Sequence, residues 1–204
     1  MNHKQLKFEN PLRIEELKPT ETLKKIGLEE NHVICDIGAG SGIFTIPASM
    51  ITNNKVYALE INDEMLSVIG EKAKSQGIKN IQLIKVQDEN FDMEDHSVDI
   101  VIMVTVLHEI ENKFAFLGEV KRILSENGRI AVIEFHKWQT PMGPPTEHRM
   151  SKDEVIDHMK DIGYAVKEDI DLGENYYCLV FIKWNLVHNY IMEGMKWKFM
   201  IWLS

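Results

Sequence analysis

The stretch VICDIGAGSGIFTIP, residues 33–47, begins with apolar residues typical of a buried β-strand and then carries glycine at three alternate positions, Gly38, Gly40 and Gly42. Such a run followed by glycines predicts a strand that turns into a helix. Because glycine has no Cβ, backbone N–H groups in that turn can touch a ligand directly. The stretch therefore predicts a ligand site at the first strand-to-helix turn.

Apolar runs alternate with helical patterns along much of the remaining chain. Near-continuous apolar strands separated by helices are typical of a parallel sheet covered on both faces, so the predicted fold class is α/β. Pro47 falls inside the first helix and is expected to kink that turn or to limit the regularity of the helix. The predicted parallel strands are Val33–Gly38, Lys55–Ile61, Ile81–Val86, Val98–Leu107 and Arg129–His136, and the helices are Gly42–Ile51, Asp63–Gln76, Lys113–Ser125 and Ser151–Ile162.

The two ends of this pattern carry further elements. Strands Tyr164–Leu172 and Tyr176–Lys183 are joined by the short segment GEN, which predicts a hairpin and therefore an antiparallel final strand. Before the first strand, ELKPTETLKKIGL predicts a helix with Pro19 in its first turn and Gly27 at its end. An aromatic-rich tail, 184–204, partly follows helical spacing and is expected to pack on the core or to form a homodimer contact.

The composition restricts the partners. The chain has 204 residues and a net charge of −9, which disfavours nucleic acid because phosphate binding favours clustered lysine and arginine. Cys35 and Cys178 lie in apolar runs and form no CxxC pair, so we expect no disulfide and a reducing, cytoplasmic location. The first residues lack the apolar core of a signal peptide. The longest apolar run is far shorter than the ~20 residues of a membrane span, so no integral membrane association is expected.

The spacing of the glycines distinguishes three kinds of ligand. A mononucleotide P-loop requires a lysine after its last glycine, and none follows Gly42. The dinucleotide fingerprint GxGxxG has its third glycine where this chain has Ile43, which disfavours NAD. S-adenosylmethionine remains. Glu60, 22 residues after Gly38 at the end of the second strand, suits the ribose hydroxyls of either NAD or S-adenosylmethionine. Asp88, just past the third strand, suits the amino group of adenine.

The ordered set of motifs resembles the class I S-adenosylmethionine-dependent methyltransferases, in particular the type 11-like small-molecule branch that includes the ubiquinone and menaquinone biosynthesis methyltransferases. The resemblance covers about residues 12–183 and rests on VICDIGAGSG, ALEINDEML, VQDENFDMEDHSVDIVIMVTVLHEI and EVKRILSENGRIAVIEF. It implies a Rossmann-like, seven-stranded, mostly parallel sheet of order 3-2-1-4-5-7-6 with strand 7 antiparallel. It also implies one S-adenosylmethionine-binding domain over residues 1–183, with residues 1–30 as an N-terminal helical lid.

The same resemblance implies a set of residues that bind S-adenosylmethionine. The glycine turn and Thr105 would contact its methionine end, Glu60 its ribose, and three further residues its adenine. From the methionine end to the adenine, the implied residues are Asp36, Gly38, Ala39, Gly40, Gly42, Thr105, Glu60, Ile61, Asp88 and Glu89.

Candidate catalytic residues follow the fourth strand. Methyl transfer from a sulfonium needs no acid, but an acceptor that carries a proton benefits from a base, and His108 in VLHEI has a suitable intrinsic pKa. Glu109 is the neighbouring candidate. A purely structural role, in which His108 holds the loop by hydrogen bonds, stays open. HEIEN does not complete HExxH, so no metal site is expected.

The loop KWQTPMGPPTEHRM, after the fifth strand, is expected over the same edge of the sheet. His136, His148 and Arg149 are therefore candidate substrate-pocket residues, and Arg149 is suited to a carboxylate or phosphate. The alternative is a proline-stiffened surface loop. No Pro-Pro-aromatic motif follows the fourth strand, which further disfavours DNA or RNA as a substrate.

Three functions stay open on the sequence alone. The first is methyl transfer from S-adenosylmethionine to a small molecule, by in-line displacement, with an acceptor atom that the sequence does not name. The second is an NAD-dependent oxidoreductase. The third is a non-catalytic protein that binds the cofactor and holds a partner through its aromatic tail. The absent third glycine of the dinucleotide fingerprint and the ordered motifs favour methyl transfer.

Overall fold

The computed structural model describes residues 9–87 and 90–186. At its centre is a seven-stranded sheet of order β3-β2-β1-β4-β5-β7-β6, in which β7 is antiparallel to both neighbours and the other pairs are parallel. The predicted fold class, strand order and antiparallel strand 7 are thus confirmed. The strands are β1 Ile34–Ile37, β2 Val56–Glu60, β3 Ile81–Lys85, β4 Val98–Val104, β5 Leu124–Phe135, β6 Tyr164–Asp171 and β7 Tyr176–Lys183.

Six α-helices in the described residues accompany the sheet, with two 3₁₀ turns at Leu107–Glu109 and Thr146–His148. Helices α5 and α6 pack in one apolar layer, whereas α1, α2 and α3 pack in another on the opposite face. All four residues of β1 are buried, as expected for a central strand covered on both faces. The helices are α1 Pro11–Leu17, α2 Pro19–Lys25, α3 Thr45–Ile51, α4 Asp63–Ser75, α5 Lys113–Ile123 and α6 Lys152–Asp161.

The helix after the glycine turn differs from its prediction. Helix α3 begins at Thr45 instead of Gly42, so Pro47 occupies its third position. The N–H groups of the first helical turn have no intrahelical acceptor, so a proline there removes no helical hydrogen bond. Pro47 therefore lies where a helix tolerates proline, and the helix is shorter than predicted.

The N-terminal region forms two helices where the sequence predicted one. Pro19 opens α2 as predicted, but it also disfavours a helical conformation at Lys18, which adopts a φ of 41° and ends α1. Gly27 closes α2 with a φ of 86°. Its N–H donates to Lys24 and the N–H of Leu28 donates to Leu23, the two bonds of a Schellman motif.

Strand β5 begins at Leu124, earlier than the predicted Arg129. The intervening SENG has the composition of a turn, which is why the sequence excluded it from the strand. The pairing of β5 with β4 is irregular at this segment, because its register shifts between Val98 and Ile100.

Helix α1 lies at the edge of the sheet where the parallel strands end. The carboxylate of Glu16 accepts the backbone N–H of Asn175 and its side-chain Nδ2 at 2.5 and 2.6 Å. Asn175 belongs to the turn between β6 and β7, and Leu17 at the end of α1 is fully buried. This anchoring places α1 at the edge of the sheet where the glycine turn also lies. The lid function of residues 1–30 stays a prediction.

No helix within residues 9–87 and 90–186 is long and apolar enough to cross a membrane. Most of the aromatic tail, from residue 187 onward, lies outside the described residues, and with it the predicted homodimer contact.

The Gly27 cap yields a stability prediction. An alanine at position 27 would have to keep the left-handed backbone conformation of Gly27, and its Cβ would lie 2.0 Å from Nη1 of Arg129. Gly27→Ala should therefore destabilise the protein by about 1–2 kcal/mol. The matched control is Gly118→Ala, inside α5, where a new Cβ meets nothing within 4 Å. Because alanine is the better helix former, that change should stabilise by about 0.5–1 kcal/mol. Urea unfolding of both variants measures the difference, and equal effects would contradict the assigned cap.

Candidate active site

The glycine turn folds back onto the neighbouring strand. The N–H groups of Gly38 and Ala39 both donate to the carbonyl of Leu59, the penultimate residue of β2, at 2.8 and 3.0 Å. Gly38 has a φ of 71°, and a Cβ there would lie 2.4 Å from Cγ2 of Val106 in the segment after β4. Only glycine fits this position, because both the backbone conformation and the contact exclude a side chain. Gly40 and Gly42 also have positive φ values.

Glu60, the last residue of β2, clamps this turn. Its Oε2 accepts the N–H of Gly40 at 2.8 Å, and its Oε1 accepts the N–H of Asn62 at 3.0 Å. The carboxylate is almost fully buried. A carboxylate has about four acceptor sites, so two of them still suit the ribose hydroxyls predicted for Glu60.

Asp36 lies beneath the same turn. Its Oδ2 accepts the hydroxyl of Thr45 at 2.6 Å. Burial raises the pKa of Asp36 to about 7, the Thr45 hydrogen bond opposes that rise, and the negative charge of Glu60 adds to it. Asp36 therefore titrates near neutral pH, and a cationic group beside it would favour its ionised form.

The turn also contains a buried polar atom without a partner. Among the described residues, the hydroxyl of Ser41 is buried and makes no hydrogen bond. The Ser41 carbonyl accepts Nζ of Lys72, which also pairs with Glu9 at 2.6 Å. An orphaned hydroxyl beside a turn that excludes side chains fits a polar ligand such as the amino-acid end of S-adenosylmethionine.

The adenine end is only partly described. Ile61 directly follows Glu60 and is 71% exposed, so its apolar side chain is free to pack on a flat ring as predicted. Asp88 and Glu89, predicted for the polar edge of adenine, lie outside the described residues.

Thr105, just past β4, has the unusual φ of 56° for a residue with a branched Cβ. Its N–H donates to the carbonyl of Ile133 in β5 at 2.7 Å. Its hydroxyl accepts Nη2 of Arg13 from α1 at 3.2 Å. The residue predicted to contact the methionine tail is therefore held between the sheet and the N-terminal helix.

His108 forms a buried pair with Glu134. Its Nδ1 lies 2.7 Å from Oε2 of Glu134, and its backbone N–H donates to Oε1 at 3.2 Å. Burial lowers the pKa of His108, but the hydrogen bond and charge of Glu134, aided by Glu109, outweigh burial, and the pKa is raised above 6.5. The contact assigns the Nδ1 proton to the Glu134 side, which leaves Nε2 as the basic nitrogen.

Glu109, the second catalytic candidate, takes a different position. Its side chain is 75% exposed, and its Oε1 lies 3.9 Å from Nε2 of His108. At this distance and exposure Glu109 adds negative charge near His108 without a hydrogen bond.

Sequence reasoning missed two residues of this edge, Glu134 and Arg13. Glu134 stands in the apolar strand run IAVIEF, and a carboxylate inside a buried strand is a detectable signal. Arg13 precedes the first strand in an ordinary amphipathic segment, so only the folded chain reveals its position.

The loop after β5 holds the three predicted substrate residues, and it brings Arg149 into contact with His136. Arg149 is buried and donates to the carbonyls of His136, Trp138, Met142 and Pro144 and to the hydroxyl of Thr140. The ring of His136 stacks on Trp138 with centroids 3.9 Å apart, and its Nε2 lies 3.3 Å from the carbonyl of Gly173. His148 is exposed. The guanidinium of Arg149 thus braces its own loop, and its role as a substrate ligand stays a prediction.

The chain matches known proteins over this same region. A family model described as "Methyltransferase domain" matches residues 28–193. The chain belongs to this family. A crystal structure of a SAM-dependent methyltransferase from Aquifex aeolicus is 29% identical, with a TM-score of 0.83 and coverage of 88% of this chain and 97% of that one. The predictions of a class I methyltransferase and of S-adenosylmethionine as its cofactor are thus confirmed at the level of the family.

Two further matches define how far this likeness extends. The ubiquinone/menaquinone biosynthesis C-methyltransferase UbiE of Marinomonas sp. (strain MWYL1) is 28% identical over 127 residues, which are 61% of this chain and 51% of the relative. The chain thus spans about half the length of that curated relative. The [4+2]-cyclase SpnF has a TM-score of 0.70 at 13% identity, covering 82% of this chain and 81% of that one, and shows the fold alone. The comparisons support neither the NAD-dependent nor the non-catalytic alternative.

The Glu60 clamp yields a binding prediction. Glu60→Ala removes the acceptor of the Gly40 N–H and the predicted ribose acceptor together, so S-adenosylhomocysteine should bind about 10- to 100-fold more weakly, the equivalent of one charged hydrogen bond. Isothermal titration calorimetry measures the change. The control is Glu71→Ala, an exposed carboxylate on α4, which should bind as the wild type does. A folded Glu60→Ala variant with unchanged affinity would exclude the ribose role.

Proposed function

We propose that this protein transfers a methyl group from S-adenosylmethionine to a small-molecule acceptor that carries a proton on its nucleophilic atom, with His108 as the general base. The observation that carries the proposal is the buried pair of His108 and Glu134 at 2.7 Å, on the strand edge that holds the glycine turn. A histidine oriented by a buried carboxylate is an arrangement suited to proton removal.

Residues at the ends of β1, β2 and β4 are the ones that would bind the cofactor. The glycine turn, the orphaned Ser41 hydroxyl and Thr105 would hold the methionine end, Glu60 the ribose and Ile61 the adenine. When bound, S-adenosylmethionine supplies a methyl group on a positively charged sulfur and leaves as the thioether S-adenosylhomocysteine. Because the thioether leaves without being protonated, methyl transfer needs no acid. What the residues of this chain have to do is align the acceptor and take up its proton.

The proton has a defined path in this proposal. As the acceptor atom forms its bond to carbon, its proton moves to Nε2 of His108, and the ring becomes an imidazolium. Glu134, which is 1% exposed, stabilises that cation through Nδ1 and keeps the ring oriented. The proton is then released to solvent, and Glu109 at the exposed side of Nε2 is placed to assist.

The acceptor class follows from the need for a base. An amine above its pKa requires none, whereas a phenolic oxygen or the ring carbon of a phenol or hydroquinone loses a proton on methylation. The UbiE relative carries the name C-methyltransferase, so ring carbons are the first acceptors to test. A reducing, cytoplasmic setting belongs to the same proposal, because Cys35 and Cys178 are buried free thiols.

The activity is tested with radiolabelled S-adenosylmethionine and a panel of hydroquinones, phenols, amines and metabolite acids. We expect S-adenosylhomocysteine and a labelled product with hydroquinones or phenols, and no product with simple amines. Because the cyclase SpnF shares this fold, the fold does not decide the outcome. Product from amines alone would overturn the base mechanism, and no turnover on the whole panel would count against methyl transfer to these classes.

The pH dependence of that reaction tests His108. Because Nε2 must be unprotonated, kcat/KM should rise with pH through the pKa of His108, which lies above 6.5. Glu134→Gln removes the charge that raises this pKa, so the inflection should move to lower pH and the plateau should fall. His108→Asn should lower kcat by ~10²–10⁴-fold.

The control for these variants is His158→Asn, a histidine of α6, which should stay within about twofold of the wild type. If His108 only holds the loop, His108→Asn will lower thermal stability while the pH profile keeps its shape and position.

A further inference from the structure

The buried guanidinium of Arg13 lacks the partners that a buried charge requires. Arg13 lies in α1 and is 8% exposed. Its Nη2 donates to Thr105, its guanidinium lies over the ring of Tyr176 at 5.8 Å, and its Nε has no hydrogen-bond partner in the described residues. A guanidinium has five N–H donors, and within residues 9–87 and 90–186 only the bond to Thr105 engages one of them.

The contrast with Arg149 makes this unusual. Arg149 is buried to a similar extent, but its guanidinium donates to five acceptors of its own loop. No ion pair joins Arg13 to a carboxylate within residues 9–87 and 90–186. Burying an arginine without an anion is costly, and arginine stays charged at physiological pH. The arrangement is complete only when an anion is present.

The surroundings of Arg13 identify where that anion lies. Thr105 follows β4, Tyr176 opens β7, and His108 with Glu134 occupies the same edge of the sheet. Burial lowers the pKa of Arg13, whereas Tyr176 and Glu134 raise it, which puts Glu134 within electrostatic reach of the guanidinium. Arg13 therefore lies at the strand edge that the proposed function treats as the ligand cleft, between the glycine turn and His108.

We propose that Arg13 is the carboxylate-binding residue of this cleft. A planar guanidinium matches a carboxylate through two parallel hydrogen bonds. A phosphate dianion would be poorly matched, because Arg13 is a single cation and the buried Glu134 contributes a nearby negative charge. The inference rests on the proposed function, since it assigns a ligand group to the same cleft.

The carboxylate has two sources, the amino-acid tail of S-adenosylmethionine and an acidic group on the acceptor. The contact with Thr105, predicted to meet the methionine tail, favours the tail; the electrostatic proximity of Glu134 favours the acceptor. In either case the ligand would tie α1 to the sheet at Arg13, as the contact of Glu16 with Asn175 and the burial of Leu17 do at its other end.

The experiment compares two ligands on three proteins by calorimetry. The ligands are S-adenosylhomocysteine and its decarboxylated analogue, which lacks only the carboxylate. The proteins are the wild type, Arg13→Gln and Arg13→Lys, with Glu16→Gln as a control that loosens α1 and leaves the guanidinium in place. Circular dichroism confirms folding of each. Arg13→Lys keeps the charge and serves as the second probe if Arg13→Gln does not fold.

If the tail is the source, wild type should prefer S-adenosylhomocysteine over its analogue by about 10- to 100-fold. Arg13→Gln should lose that preference, Arg13→Lys should keep part of it, and Glu16→Gln should keep it while weakening both ligands equally. If the acceptor is the source, substituting Arg13 should leave the preference for S-adenosylhomocysteine unchanged. Benzoate, titrated by NMR with or without S-adenosylhomocysteine, should then bind the wild type and not Arg13→Gln.

An unchanged preference together with benzoate binding that is absent or equal in wild type and Arg13→Gln would overturn the proposal. Failure of the proposed function has a different signature. In that case wild type binds neither S-adenosylhomocysteine nor its analogue, and the benzoate titration, which needs no cofactor, still tests Arg13.

Discussion

The hydrogen bond from the Gly40 N–H to the carboxylate of Glu60 is the interaction on which the site depends. It joins the turns that follow β1 and β2, and it sets the orientation of the carboxylate through its second bond to Asn62. The glycine turn can approach Glu60 only because Gly38 lies against Val106 without a side chain. One buried contact and the approach of Gly38 to Val106 thus couple the ends of β1, β2 and β4.

The electrostatics of this edge explain which ligands it suits. Asp36, Glu60 and Glu134 are buried carboxyls on β1, β2 and β5, and Asp36 has its pKa raised to about 7 by burial and by the charge of Glu60. Such a concentration of acidic groups in a low-dielectric region favours cations, including a sulfonium and an ammonium group. It disfavours the phosphates of a dinucleotide. The absence of a third glycine and the acidic surroundings therefore point to the same class of ligand.

Much of the fold was predictable because its signals are local. Apolar strands and the alternating glycines each act over a few residues, and the structure retains both. The errors arose where local signals compete: Pro47 is compatible with a helix only because α3 begins later than its glycines suggest. The His108–Glu134 pair joins residues 26 apart through strand register, so only His108, in the loop motif VLHEI, was found.

The two buried arginines show why the surroundings of a buried side chain are hard to predict from sequence. Arg149 sits in a proline-rich loop over the site, and its sequence context favoured a ligand role, yet that same irregular loop exposes carbonyls that need donors, and Arg149 supplies them. Arg13 sits in a helix, and within the described residues its guanidinium donates only to the hydroxyl of Thr105. A buried arginine is available to a ligand only where the surrounding backbone satisfies itself. That condition depends on tertiary structure, and it separates Arg13 from Arg149 where the sequence could not.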